Sequence, residues 1–314
     1  MKPLRCAVIG VGYLGKFHAQ KYAQLPGCEL VAVADSRLDV AQAVAQPLGC
    51  RAVADYHELL GQVDAVSVVV PTQAHHAVTL DFLRAGAHVL VEKPIAVTLE
   101  QADEMIAIAE QRGLRLAVGH LERFNPVALA LEPLLQRPRF IESTRLAPFK
   151  PRATDVSVLL DLMIHDVDLI LSLVDSEIVS IDSSGARVLT TDIDIANARI
   201  RFANGCVANV TASRVSNKSE RKMRVFQDRA CHSLDFGSRQ LVSYRATDAD
   251  PHTAPEAAIE RQLQTFGEAD ALLNEIADFV ASVREGRAPK VGGRAGRRAL
   301  AAVQRISAAT ELIA

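Results

Sequence analysis

No stretch of this 314-residue sequence approaches the roughly 18 consecutive apolar residues that a membrane-spanning helix needs. The amino-terminal segment MKPLRCAVIGVGYLG has no apolar stretch ending in a small-residue cleavage site, so no secretory leader is expected. Charge of one sign is missing too: 35 Lys and Arg stand against 37 Asp and Glu, a net of -2. That balance supplies neither a basic face for nucleic acid nor one for an anionic membrane. The five cysteines, Cys6, Cys28, Cys50, Cys206 and Cys231, form no CxxC pair and accompany no histidine cluster at zinc spacing. They read as small buried hydrophobes in a reducing compartment. A cytoplasmic protein is expected, with small-molecule partners and no nucleic-acid or membrane partner. With 49% apolar and 23% charged residues the chain is globular, and its length suits two domains.

Glycine, by contrast, is concentrated where it matters. Residues 4 to 9 form an apolar run that enters Gly10-Val-Gly12-Tyr13-Leu14-Gly15, and helix-like composition follows from Lys16 to Leu25. A second apolar run, Leu30 to Ala34, ends at Asp35. Strand, glycine turn, helix, strand and acid make a dinucleotide-binding unit. Gly10 permits the tight turn, Gly12 lets the backbone approach a pyrophosphate, and Gly15 lets the helix pack close to the strand. The helix N-terminus offers N–H groups and positive potential to the phosphates. Asp35 would accept hydrogen bonds from the adenosine ribose hydroxyls and repel a 2'-phosphate, which favours NAD over NADP, although Arg37 stands near enough to partly rescue NADP.

The alternation continues through a buried parallel strand at 64–70, a helix from His75 to Ala85, a strand at 87–91, a helix capped by Thr98 and a strand at 115–118. In a doubly wound sheet the carboxyl ends of the strands face the ligand crevice, and Thr72, His75, Glu92 and Lys93 fall at or just beyond such ends. A Glu-Lys pair is most often a surface salt bridge. At a cofactor crevice, Lys93 would instead be a placed donor whose pKa burial can lower for proton transfer.

Further on, the run DLMIHDVDLI sets three aspartates and a histidine among apolar residues. On a helix Asp161, His165 and Asp168 share one face, and Asp166 points elsewhere. That face could hold a metal, orient a substrate or meet water. Metal sites normally recruit ligands from more than one element, so no metal is expected, and Asp166 and Asp168 read as solvated or helix-capping groups.

The succession GVGYLG, Asp35, PTQAHHAVTLDFLRAGAHVLVEKP and GHLERFNPV resembles the glucose-fructose oxidoreductase, inositol dehydrogenase and MocA (Gfo/Idh/MocA) family along nearly the whole chain. That resemblance implies an α/β protein: a Rossmann doubly wound parallel sheet followed by an α/β domain with a large open, mainly antiparallel sheet. It implies oxidation or reduction of sugar and cyclitol hydroxyls with NAD or NADP. The family's catalytic lysine matches Lys93, and its aspartate and histidine four residues apart match Asp161 and His165. A histidine, with an ordinary pKa near 6.5, suits taking a proton from a hydroxyl at neutral pH while hydride leaves the same carbon. Lys93 would stabilise the developing alkoxide, and Asp161 would bind a neighbouring hydroxyl or fix the imidazole tautomer. Which of Lys93 and His165 is the formal base stays open.

The expected division is a NAD-binding domain over 1–120 and a substrate-binding and oligomerisation domain over 121–314, with the C-terminal helices free to pack back on the first domain. In the second part, alternation over 197–202 and 206–213 around Asn204-Gly205 predicts a β-hairpin, and further strands are expected near 223–226, 231–236 and 239–244. Helices are expected near 121–135, 161–174, 262–285 and 294–313. The family's open sheet commonly mediates assembly, so a homodimer or homotetramer is implied.

GHLERFNPV and LAPFKPRATD further resemble bacterial members acting on the 3-hydroxyl of UDP-N-acetylglucosamine. A diphosphate needs cations, and Lys150, Arg152, Arg214, Lys218 and Arg221, with Asn217, are candidates for a positive lip. Arg123 and Asn125 of the RFNP segment would line the cleft. The alternatives are a dehydrogenase of free sugars or inositol and a non-catalytic NAD-binding regulator.

Overall fold

A computed structural model describes residues 2–150 and 156–313. The chain forms two compact units, one of residues 1–124 and 270–300, the other of 125–269 and 301–314.

In the first unit six strands pair in parallel: β1 (Leu4–Ile9), β2 (Cys28–Ala34), β3 (Arg51–Val53), β4 (Ala65–Val68), β5 (His88–Glu92) and β6 (Leu116–Gly119). Their order is β3-β2-β1-β4-β5-β6. Between them run the helices α1 (Gly15–Gln24), α2 (Leu38–Leu48), α3 (Thr72–Arg84) and α4 (Leu99–Gln111). Every residue of β4 and β6 is buried, which is why these strands read as unbroken apolar runs. The order reverses between β1 and β4, and such a switch point opens a crevice at the strands' carboxyl ends. Thr98 caps α4, with Gln101 returning the bond in a capping box. β3 has only three residues, too few to show a hydrophobic pattern; α2 does carry one, with Val40, Ala41, Val44, Ala45 and Leu48 turned to the core.

In the second unit α5 (Pro126–Leu131), β7 (Phe140–Leu146) and α6 (Ile164–Leu173) precede β8 (Ile178–Ala186), β9 (Ile195–Phe202), β10 (Val207–Ser213), β11 (Glu220–Gln227), β12 (Ala230–Asp235), β13 (Gln240–Ala246) and β14 (Ile259–Thr265). The chain then forms α7 (Ala271–Glu285) of the first unit and α8 (Gly293–Ala309), and ends with β15 (Thr310–Leu312). Nine strands stand in the order β14-β13-β12-β11-β7-β10-β9-β8-β15. All pairs are antiparallel except β7 with β10 and β8 with β15. The hairpin of β9 and β10 turns at Asn204-Gly205, where Gly205 takes a φ of +86° that disfavours a Cβ. One sheet face buries Ile141, Ala208, Val210, Met223, Val225 and Leu234, with α6 against β7 and β10 and α5 against β12 and β13. The opposite face presents Asp182, Asn197, Arg199, Asn209, Glu142 and Arg224.

Three helix boundaries differ from expectation. The segment 262–285 is not one helix: β14 comes first, paired along its length with β13 and exposed on both faces, so backbone bonding rather than an apolar stripe holds it. Pro126 and Pro133 divide 121–135 into two 3-10 turns around α5. α8 stops at Ala309, after which the chain joins β8 as an edge strand. The five cysteines are free thiols, Cys6 and Cys206 buried and the others half-buried. Among the described residues no helix is long and apolar enough to cross a membrane, and no group of three His, Cys, Asp or Glu is arranged to hold a metal ion.

Candidate active site

The glycine turn leaves β1 and enters α1. Gly10 has a φ of +84°, and a Cβ there would lie 2.7 Å from the Val69 carbonyl oxygen. A Cβ on Gly15 would lie 1.9 Å from the Gly10 carbonyl oxygen, so helix and strand meet only because this residue is glycine. Gly12 faces open space, with no protein atom within 4 Å of an added Cβ. Leu14, at the N-cap position of α1, offers no side-chain cap; the Lys16 and Phe17 N–H groups donate to the Gly12 and Leu14 carbonyl oxygens, and the positive end of the helix stands at the glycine turn. These features fit a dinucleotide pyrophosphate. Tyr13 is largely exposed and meets Phe17 edge-on.

Beside the turn a cleft of about 580 Å³ is lined by Gly10, Gly12, Asp35, Ser36, Tyr56 and Pro71 among others. Asp35 accepts a hydrogen bond from Val11 N–H at 3.1 Å and another from Arg37 N–H at 3.1 Å. Two backbone donors thus fix its carboxylate at the wall of this cleft. Arg37 itself is exposed and precedes α2. Tyr56 escapes sequence reasoning, although its place just beyond β3 is a strand end like that of Asp35; the brevity of β3 hides the signal.

Glu92, Lys93 and Pro94 follow β5. Lys93 is half-buried, whereas Glu92 is buried, with Oε1 3.1 Å from His18 Nε2 and Oε2 accepting the Lys93 backbone N–H at 3.1 Å. Burial pushes the Glu92 carboxyl up, but the bond from His18, the nearby Lys93 charge and the Lys93 N–H hold it below the usual range. Thr72 opens α3 half-buried, and His75, one turn on, is buried. Its Nδ1 lies 2.9 Å from the Pro94 carbonyl oxygen and its Nε2 2.9 Å from that of Val70. Glu92 and His75, expected to line the cofactor, thus also contact the backbone around Lys93, and His75 that of Val70 as well.

In the second unit Asp161 lies in a π-helical turn, Leu159–Met163, that leads directly into α6, and His165 is the second residue of α6. Both are half-buried. A π turn has more residues per turn than an α-helix, which brings residues four apart closer to the same azimuth. Asp166 and Asp168 do not meet water: each is 1% exposed. Arg145 Nε donates to Asp166 Oδ2 at 2.6 Å, and Ser143 Oγ donates to Oδ1 at 3.0 Å. The solvated reading of these aspartates is therefore corrected; Asp166 ties α6 to β7 one residue after His165.

The expected positive lip is dispersed. Arg214 is buried against Asp194, Nε to Oδ1 3.7 Å, and donates to the Val156 carbonyl oxygen, so it belongs to the interior. Lys218 pairs with Glu220 at 2.6 Å. Asn217 and Lys150 are exposed, Arg221 is half-buried, and Arg152 lies outside the described residues. Arg123 is half-buried; Asn125 is buried and its side chain caps α5 by accepting the Val127 N–H.

The family model described as "Oxidoreductase family, NAD-binding Rossmann fold" (GFO_IDH_MocA) matches residues 4–120, and that of the GFO/IDH/MocA C-terminal domain matches 137–232. UDP-N-acetylglucosamine 3-dehydrogenase from Acidithiobacillus ferrooxidans is 41% identical over 312 residues, 98% of this chain and 97% of that protein. Its solved structure has a TM-score of 0.92 at 40% identity and covers 99% of both chains. An inositol 2-dehydrogenase from Rhizobium meliloti is 27% identical over 315 residues, 95% of this chain and 94% of its own.

Proposed function

Because this chain belongs to the Gfo/Idh/MocA oxidoreductase family, we propose that it oxidises the 3-hydroxyl of UDP-N-acetylglucosamine to the 3-oxo sugar with NAD. The observation that carries the substrate is the likeness, through both units, to the Acidithiobacillus 3-dehydrogenase. Gly10, Gly12 and Gly15 admit the pyrophosphate, Tyr13 and Leu14 complete the turn, and Asp35 takes the ribose hydroxyls. Thr72 flanks the crevice at the start of α3. NAD, when bound, supplies the hydride acceptor.

The remaining steps belong to side chains. As hydride leaves the same carbon, the hydroxyl proton passes either to His165, with the Lys93 ammonium stabilising charge developing on that oxygen, or to Lys93 in its neutral amine form. Asp161 orients the imidazole or a neighbouring hydroxyl. Arg123, Asn125, Lys150 and Arg152 are assigned to the sugar nucleotide, the cations to its diphosphate. The open face of the nine-stranded sheet, with its mixed charges, is the proposed surface for a homodimer or homotetramer, and the cytoplasm is the proposed compartment.

The test is NADH formation with UDP-N-acetylglucosamine, UDP-glucose, glucose and myo-inositol, with coupled removal of the keto product. Turnover confined to UDP-N-acetylglucosamine is expected. Turnover with free sugars or inositol alone would overturn the substrate, and tight NAD binding without any turnover would favour a regulator.

A further inference from the structure

Behind Lys93 runs a chain of buried polar groups that the chemistry above does not use. Tyr22, Ser67 and His18 are fully buried and Glu92 is 6% exposed. Tyr22 Oη lies 3.0 Å from Ser67 Oγ, Ser67 Oγ 3.1 Å from His18 Nδ1, and His18 Nε2 3.1 Å from Glu92 Oε1. The chain ends where Glu92 Oε2 accepts the backbone N–H of Lys93.

With Glu92 ionised, one assignment of hydrogens satisfies every group. Tyr22 donates to Ser67, Ser67 donates to His18 Nδ1, and Nε2–H donates to the carboxylate. A neutral imidazole is enough for this line; a second ring proton would turn the Ser67 hydroxyl toward Tyr22 Oη and leave the Tyr22 hydroxyl hydrogen without its acceptor in the line. The carboxylate has little room to swing, because a Cβ on Gly119 of β6 would come within 2.8 Å of it. On the other flank of Lys93, His75 Nδ1 lies 2.9 Å from the Pro94 carbonyl oxygen.

His18 also lies on α1, less than one turn after Gly15 of the phosphate turn. A single hydrogen-bonded line therefore joins the helix that receives the dinucleotide to the backbone of the lysine. We propose that His18 is a positioning residue, which holds Lys93 in register with the cofactor through Glu92. This inference rests on the reading of Lys93 as a participant in the chemistry. It differs from a packing role because His18 spends both ring nitrogens on hydrogen bonds and passes its hold on through the Glu92 carboxylate. An apolar residue would satisfy packing alone.

The experiment compares His18→Leu, His18→Asn and His18→Gln with Lys93→Ala and wild type. It measures kcat, KM, NAD affinity by calorimetry, and amide hydrogen exchange of the Lys93 peptide in the NAD-free protein. Leu removes the donor at similar volume, Asn is too short to reach Glu92, and the Gln amide reaches it. His18→Leu and His18→Asn are expected to lower kcat by about 10- to 100-fold, as misplacement of a reacting group does. NAD affinity should stay within about threefold of wild type, a difference of under 1 kcal/mol. Exchange at the Lys93 amide should rise in both, and His18→Gln should recover most of the turnover and protection.

Unchanged kcat and unchanged exchange in His18→Asn would overturn the inference, as would equal loss in all three variants. Should His18→Leu fail to fold, the contrast between Asn and Gln decides. Wild-type turnover in Lys93→Ala would instead overturn the reading of Lys93, and the exchange data would still report whether His18 holds that backbone.

Discussion

Lys93 sits between two anchored neighbours, and that placement makes its removal diagnostic. Lys93→Ala and His165→Ala are each expected to lower turnover by about two orders of magnitude or more with NAD affinity near wild type, measured by steady-state kinetics and calorimetry. Full activity in either would place the chemistry elsewhere. At this scale the sequence is legible wherever the backbone itself dictates a residue type. Gly10, Gly15 and Asp35 stand out because a positive φ, a close approach and a strand tip each tolerate few alternatives. Asp166 and His18 do not stand out, because their meaning lies in partners distant in sequence. Asp166 meets Arg145, and His18 meets Ser67 and Glu92. Nothing in DLMIHDVDLI announces an arginine on β7, so a buried ion pair reads as a solvated acid.

Elements were legible in proportion to how much burial shaped their composition. The strands of the parallel sheet other than β3, and the β9–β10 hairpin, follow directly from apolar runs and an Asn-Gly turn. β14 does not, because an exposed edge strand carries no apolar pattern to read. The connection from β8 to β9 shows another hidden device. Asp194, fully buried, accepts N–H bonds from Val188, Leu189 and Thr190 at 2.8, 2.6 and 2.8 Å, and the Thr190 hydroxyl donates to its other oxygen at 2.8 Å. Burial pushes its carboxyl up, but these donors outweigh it and hold the pKa at about 2, below the ordinary 3.8. A depressed folded-state pKa stabilises the fold above the unfolded value and loses that contribution as pH falls through the folded one. The stability gap between wild type and Asp194→Asn, read from urea unfolding, should therefore be full above about pH 4 and shrink towards pH 2. A gap independent of pH over that window would deny the carboxylate its charge-dependent role.

Across the whole molecule, the open sheet face carries alternating charge in register. Asp182 stands opposite Arg199 on β9, and Glu142 bonds Arg224 at 3.0 Å. If this face joins two copies, Arg199→Glu with Arg224→Glu should lower the mass in sedimentation while leaving the NAD affinity of the first unit intact. An unchanged mass would move the interface elsewhere. The chain is also interleaved: α7 returns after more than a hundred intervening residues to bury Ile276, Phe279 and Val280 in one cluster with Val8, Tyr22 and Val33. Synthesis proceeds from the amino terminus, so the dinucleotide half emerges from the ribosome first with a gap in its core that only residues made near the end can close. During translation, Val8, Tyr22 and Val33 lack this apolar cover until α7 arrives, which makes the nascent first unit dependent on synthesis running through Glu285.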